Sequence, residues 1–175
     1  MLAFLAMMMM MFFALNQNRA TVQGQQHAAS TEMEVMAHGI ASETMQFIAT
    51  HPFDANISGS RPQNTTTDDL TPPGEFGSGR YCERGNDECE DIDDFNQMQP
   101  DTLHFTMGVD ANGDPMTFPF MVTARVAYVD ADGNESAEPT WTKEVTILVD
   151  QVAEEGGKKY LLRPVVKTRR FSPQW

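Results

Sequence analysis

LAFLAMMMMMFFAL, residues Leu2 to Leu15, is a run of fourteen apolar residues without a charge. As a helix it would be about 21 Å long, short of the roughly 20 apolar residues that cross a bilayer comfortably. The run is therefore a poor lone membrane anchor. A secretory signal peptide remains the alternative, but no Lys or Arg precedes the run and no small-x-small cleavage site follows Leu15. From Asn16 to Thr50 the chain is more polar, yet Val22, Ala29, Met33, Met36, Ile40, Phe47 and Ile48 recur at helical spacing. His51 and Pro52 stop the pattern, because proline lacks a donor and disfavours a helical residue before it. The spacing predicts one long helix from Leu2 to about Thr50, with Gly24 as a place for it to bend or melt.

Such a helix, on the order of 70 Å long, outreaches any domain built from the remaining residues. Its apolar front needs partners, and copies of the same helix can supply them. The expected assembly core is Leu2, Phe4, Leu5, Met7, Met8, Met9, Met10, Met11, Phe12, Phe13 and Leu15. Unbranched methionine suits irregular gaps between packed helices. A staggered contact that does not close on itself gives an open fibre.

The remainder, 53–175, reads as a globular head in two parts. Residues 53–102 carry turn chemistry, with Asn56, Gly59, Pro62, Pro72, Pro73, Gly74 and Gly77. Cys82 and Cys89 are the only cysteines, with six residues between them and no second ligand pair for zinc, so a short disulfide in an oxidising compartment is expected.

Residues 103–170 read as sheet. Leu103, Phe105, Met107 and Val109 alternate with polar residues. A turn at Asp110 to Pro115 leads to Phe118, Phe120, Val122, Ala124, Val126 and Tyr128. After Asp130-Ala-Asp132-Gly133-Asn134 come Trp141, Lys143, Val145, Ile147 and Val149, and Gly156-Gly157 precedes a fourth strand at Tyr160 to Lys167. Short connections favour an antiparallel meander covered on one face by the second half of the helix. The expected fold class is α+β, with the helix at 1–52.

A formal charge of −13 argues against nucleic acid as a partner. No catalytic arrangement emerges: there is no GxSxG, no phosphate-cradling glycine loop and no cysteine beside a base, and His27 and His38 read as decoration of a solvated helix face. The chain is therefore not expected to be an enzyme. Asp130 to Asn134 reads as a hairpin turn. Asp87, Glu88, Glu90, Asp91, Asp93 and Asp94 repel one another, and either stay solvated or are neutralised by a hard cation such as calcium, with Asp87, Glu90, Asp91, Asp93 and Asp94 as the candidate ligands. Half of the basic residues fall between Lys158 and Arg170. They could pair with the acidic stretch of a neighbouring copy. Asn56, Asn64 and Asn134 open N-x-[ST] sequons, and glycosylation there is an open question.

The helix close Ala41 to Asp54 (ASETMQFIATHPFD), the stretch Glu90 to Phe95 (EDIDDF) and the sheet sequence FMVTARVAYVDADGN with TWTKEVTILV resemble type IV pilins and the pseudopilins of type II secretion systems. The resemblance covers most of the chain. It implies a pilin-like structural subunit of an extracellular, cell-surface filament, self-polymerising through its N-terminal helix and held in the membrane before assembly. Partners would be further copies and the pilus or secretion assembly machinery. Most such subunits carry a glutamate at the fifth mature position, where this chain has Leu5. Two alternatives stand beside this reading: a minor pseudopilin of a secretion system, and a secreted calcium- or glycan-binding module with a removable signal.

Overall fold

Helical spacing of apolar residues and the absence of an internal proline give one unbroken helix, α1, Leu2–Ile48. The computed structural model describes residues 2–59, 62–77, 89–96, 98, 101–109, 112–153 and 159–174, with backbone alone at 2–6, 62, 101 and 107. Gly24 interrupts nothing, since α1 runs straight through it as helix. The helix stops two residues before the expected Thr50. Thr50 and His51 donate their amides to the carbonyls of Phe47 and Ile48, closing the last turn with tighter three-residue bonds.

Period-two alternation gives an antiparallel sheet. Its strands are β1 (Asp101–Val109), β2 (Pro115–Val129), β3 (Glu135–Ser136), β4 (Lys143–Gln151) and β5 (Val165–Phe171). The order is β1-β2-β4-β5, with the short β3 also paired to β2. Every pairing is antiparallel. The meander expected from the short connections is present, and the chain is α+β with a long helix on an antiparallel sheet.

The strands differ from expectation in detail. The fourth main strand begins at Val165 and not at Tyr160, because the Gln151 side-chain oxygen accepts the amides of both Tyr160 and Leu161, at 2.8 Å each, and holds that segment off the ladder. The loop after Val129 also contains β3, which is too short to carry an alternation signal.

The core lies between α1 and one face of the sheet. Met33, Ala37, Ile40, Ala41, Met45 and Ile48 form the buried stripe of the helix and meet β4 and β5. Opposite them, Phe120, Val122, Ala124 and Val126 of β2 and Val145, Ile147 and Val149 of β4 point inward. The outer face is polar, with Arg125 bridged to Glu135 and Arg170 to Glu144. The helix stripe ends earlier than its sequence pattern does. Val22 is exposed and Ala29 half-buried ahead of Met33, the first buried residue of the stripe, while Met36 and Phe47 are half-buried and pack against the core from its edge.

The described part of the segment expected as loop packs as a cap on this core. Short 3-10 turns at Ala55–Ile57, Pro62–Asn64, Thr67–Asp69, Pro73–Glu75 and Asp93–Phe95 bury Ile57, Leu70, Phe76, Ile92, Phe95 and Met98. The amide of Ile92 donates to Pro52 O at 3.1 Å, and the amide of Val126 to Asn96 Oδ1 at 3.0 Å. Gly77 is required here. Its φ is +66°, and a Cβ would lie 2.1 Å from the carbonyl oxygen of Asn96.

Ile147 is fully buried beneath α1, whereas Val166 on the outer face is 56% exposed. Ile147→Ala is expected to cost about 2 to 5 kcal/mol, and Val166→Ala within about 0.5 kcal/mol. Urea denaturation followed by Trp141 fluorescence checks this. Equal losses would mean that α1 does not cover that face.

Candidate functional site

Lys143 opens β4 on its inward parity, in line with Val145, Ile147 and Val149. It lies opposite Tyr128 in the β2 register. Its side chain therefore enters the core at the end of the sheet, and it is fully buried. A buried ammonium is costly unless every proton finds an acceptor. Nζ donates to Phe53 O at 2.8 Å and to Asp54 Oδ2 at 3.0 Å, and is in direct contact with Asp93 Oδ1. The rings of Phe53, Tyr128 and Phe76 surround it, with centroids at 4.4, 5.2 and 5.4 Å.

Each acid reaches this point through local turn chemistry. Asp54 caps the turn Ala55–Ile57, with Oδ1 accepting the Asn56 amide at 3.1 Å. Its Oδ2 also accepts the Thr71 amide at 2.9 Å, and the Thr71 hydroxyl donates to Oδ1 at 3.2 Å. Asp91 Oδ2 accepts the Ala55 amide at 2.7 Å, while Oδ1 accepts the amides of Asp93 and Asp94 at 2.9 and 3.3 Å. Tyr128 donates its hydroxyl to Thr71 O at 2.9 Å. The second oxygen of Asp93, Oδ2, is buried without a hydrogen-bond partner.

Burial, before any neighbour, sets the electrostatics. Asp93 is pushed up to about 7, chiefly by desolvation and then by the charges of Asp91 and Asp54, against the pull of Lys143. Asp91 is raised for the same first reason, opposed by its bond from the Ala55 amide and by Lys143. The Tyr128 hydroxyl is raised too, by burial and then by Asp93 and Asp54.

The acidic stretch thus divides. Asp91 and Asp93 are buried and Asp94 is half-buried, which corrects the reading of the whole run as solvated. Asp94 folds back to accept the amides of Glu90 and Asp91 at 2.7 and 3.3 Å. Glu90 is exposed, and Asp87 lies outside the described residues. Asp54, Asp91 and Asp93 each offer an oxygen within 4.8 Å of the others, a spacing that could hold a metal ion. Lys143 Nζ, however, contacts two of the three, and a divalent ion there would face that ammonium. Lys143 supplies a neutralising charge to Asp54 and Asp93.

The other expected residues are scattered. Met7 to Phe13 project into solvent at 61% to 76% exposure and Leu15 is exposed as well, while Leu2, Phe4 and Leu5 are described by backbone alone. Among the described residues, no helix is long and apolar enough to cross a membrane. Cys89 is buried and disulfide-bonded. Cys82 lies outside the described residues, as do the loop tip Asp110-Ala111, Gly156-Gly157 and Lys158. Asn56, Asn64 and Asn134 are all exposed. Asp130 closes its hairpin by accepting the Asn134 amide at 2.8 Å, which holds the carboxyl below its usual range.

Sequence reasoning passed over Lys143, Asp54 and Tyr128 as a group. One signal for them was present: a lysine on the inward parity of an apolar strand. Comparison with family models, with curated proteins and with solved structures finds no match.

Removing the cation leaves buried acids behind. Lys143→Met is expected to cost about 3 to 5 kcal/mol, and Lys143→Met combined with Asp93→Asn to cost less than the single change, because one uncompensated carboxylate is gone. Thermal and urea denaturation of both variants would show it. A double variant weaker than the single one would mean that Asp93 does not act on Lys143 as a charge partner.

Proposed function

We propose that the chain is a structural subunit of an extracellular filament, pilin-like in plan, that polymerises through the front of α1. One observation carries the reading. The residues Met7 to Phe13 form an apolar surface on all sides of a helix whose other half is fixed to the sheet. Burying seven such side chains is worth on the order of 10 to 20 kcal/mol gross, before ordering costs are subtracted. Neighbouring copies of the same helix supply that burial, with the head displayed outward. The head carries a basic strand, with Lys167, Arg169 and Arg170 on β5, and an acidic cap, with Glu90 exposed. These can set register between neighbours. The apolar stretch is held in the membrane before assembly, and its helix enters the fibre core.

The test is electron microscopy of material sheared from the cell surface, with the first residue of the chain read from the same sample. Fibres are expected for the wild-type chain. The double variant Phe12→Glu, Phe13→Glu is expected to yield none while keeping wild-type denaturation of the head, since neither residue touches the core. Soluble monomers beginning after Leu15 would sink the reading and leave a secreted module with a removed signal.

A further inference from the structure

The buried cluster has the parts of a self-contained acylation site. Lys143 Nζ and the Asp93 carboxyl are in direct contact, fully buried and 3% exposed respectively, and fixed by two different elements, β4 and the turn Asp93–Phe95. A third acid, Asp54, stands 3.0 Å from the same nitrogen. Three aromatic rings close the site against water. We propose that Lys143 and Asp93 join through an intramolecular isopeptide bond between Lys143 Nζ and Asp93 Cγ, with Asp54 as the proton carrier.

The balance needs no outside reagent. The ammonium of Lys143 and the carboxylate of Asp93 become one amide and one water. The Nζ–Cγ bond forms and one Cγ–O bond of Asp93 breaks. Of the three ammonium protons, one stays as the amide N–H and two leave with the departing oxygen. Asp54 Oδ2 accepts a proton from the nitrogen and returns it to that oxygen as it leaves.

Three features favour the step. Nζ is held against the Asp93 carboxyl through its Oδ1, so an intramolecular approach replaces a bimolecular encounter, an advantage equivalent to effective concentrations of about 10⁵ to 10⁸ M in well-oriented cases. The ammonium in contact with Asp93 supplies the protons with which its oxygen leaves as water and not as hydroxide. Amide formation also removes two buried charges and uses the carboxyl whose Oδ2 has no partner, which relieves the desolvation penalty that a buried ion pair carries. The amide N–H is left facing Phe53 O and Asp54, both acceptors already in place.

The bond would tie residues 93 and 143, fifty positions apart, and so lock the cap to the sheet. This holds whether or not the chain polymerises.

Intact-mass analysis of the full chain, denatured and reduced, gives the first readout. The wild-type mass is expected to fall short of the sequence mass by one water. Trypsin is expected to leave Lys143 uncut and to release peptides 85–125 and 126–158 as one joined species, with fragment ions placing the link at Asp93 and Lys143. Lys143→Arg and Asp93→Ala should restore the full mass. Asp54→Asn, nearly the same shape, should remain folded by circular dichroism and stay largely unlinked. A wild-type chain of full mass that trypsin cuts normally after Lys143 overturns the proposal, as does a water loss that maps within one peptide as a succinimide. A fully linked Asp54→Asn variant removes Asp54 from the chemistry.

Discussion

Everything in the head is arranged around one costly fact: a lysine ammonium sits inside the core with no access to water. Lys143 cannot stay there without acceptors, so the acids have to come to it. They come from two places far apart in sequence. Asp54 follows the end of the helix, and Asp91 and Asp93 lie in the acidic stretch. Thr71 completes the group by binding both Asp54 and Tyr128. A segment that lacks helix or strand over most of its length is thereby given the order that regular backbone bonding would otherwise supply. The 3-10 turns then bury Leu70, Phe76, Phe95 and their neighbours over the sheet end. The electrostatic demand and the apolar packing act on the same chain segments, which is why the described part of the cap is a layer of the fold.

The cluster also fixes where the helix ends. Phe53 and Asp54 are held to Lys143 a few residues after Ile48. Upstream, Phe47, His51 and Phe95 stack edge to face, with centroids 4.9 to 5.8 Å apart. Lys167 reaches from β5 to Ser42 on the helix at 2.8 Å. The back half of α1 is thus clamped at three levels, so the direction of its front half is set by the head. An assembly built on the front half inherits that direction in every copy.

Legibility in the sequence followed the strength of the periodic signals. The helix and the strands β2 and β4 were readable because each alternates or repeats over many residues against a buried face. The start of β5 was not, because a single glutamine side chain decides it by capturing two amides. The acidic stretch is only partly legible from its charge. Charge density predicts solvation when residues are counted along the chain, but Asp91 and Asp94 spend their oxygens on backbone amides, those of their own turn and, for Asp91, that of Ala55. Asp93 is the one that meets a cation, Lys143. The inward parity of Lys143 announced that cation, yet parity alone names no partner. The three stretches that carried the pilin resemblance, around Asp54, around Asp93 and around Tyr128 and Lys143, are the ones the fold brings together.

An apolar plug of equal volume could close the same end of the sheet at no greater cost, so stability alone does not account for the ions. Register does. Side chains in a strand alternate, and a slip of one residue between β4 and β2 would turn the inward set outward. Val145, Ile147 and Val149 would give way to Thr146, Leu148 and Asp150 on the core face, a substitution that a hydrophobic count penalises but does not forbid. At the end of the strand the penalty is of another kind. Glu144 would replace Lys143 and place one more carboxylate against Asp54, Asp91 and Asp93, while the buried ammonium left for water. Four acids without a counter-charge in an enclosed site is a state that the chain must avoid, either by unfolding the cap or by returning to register. The cluster therefore selects one alignment of the sheet out of those that apolar packing would tolerate.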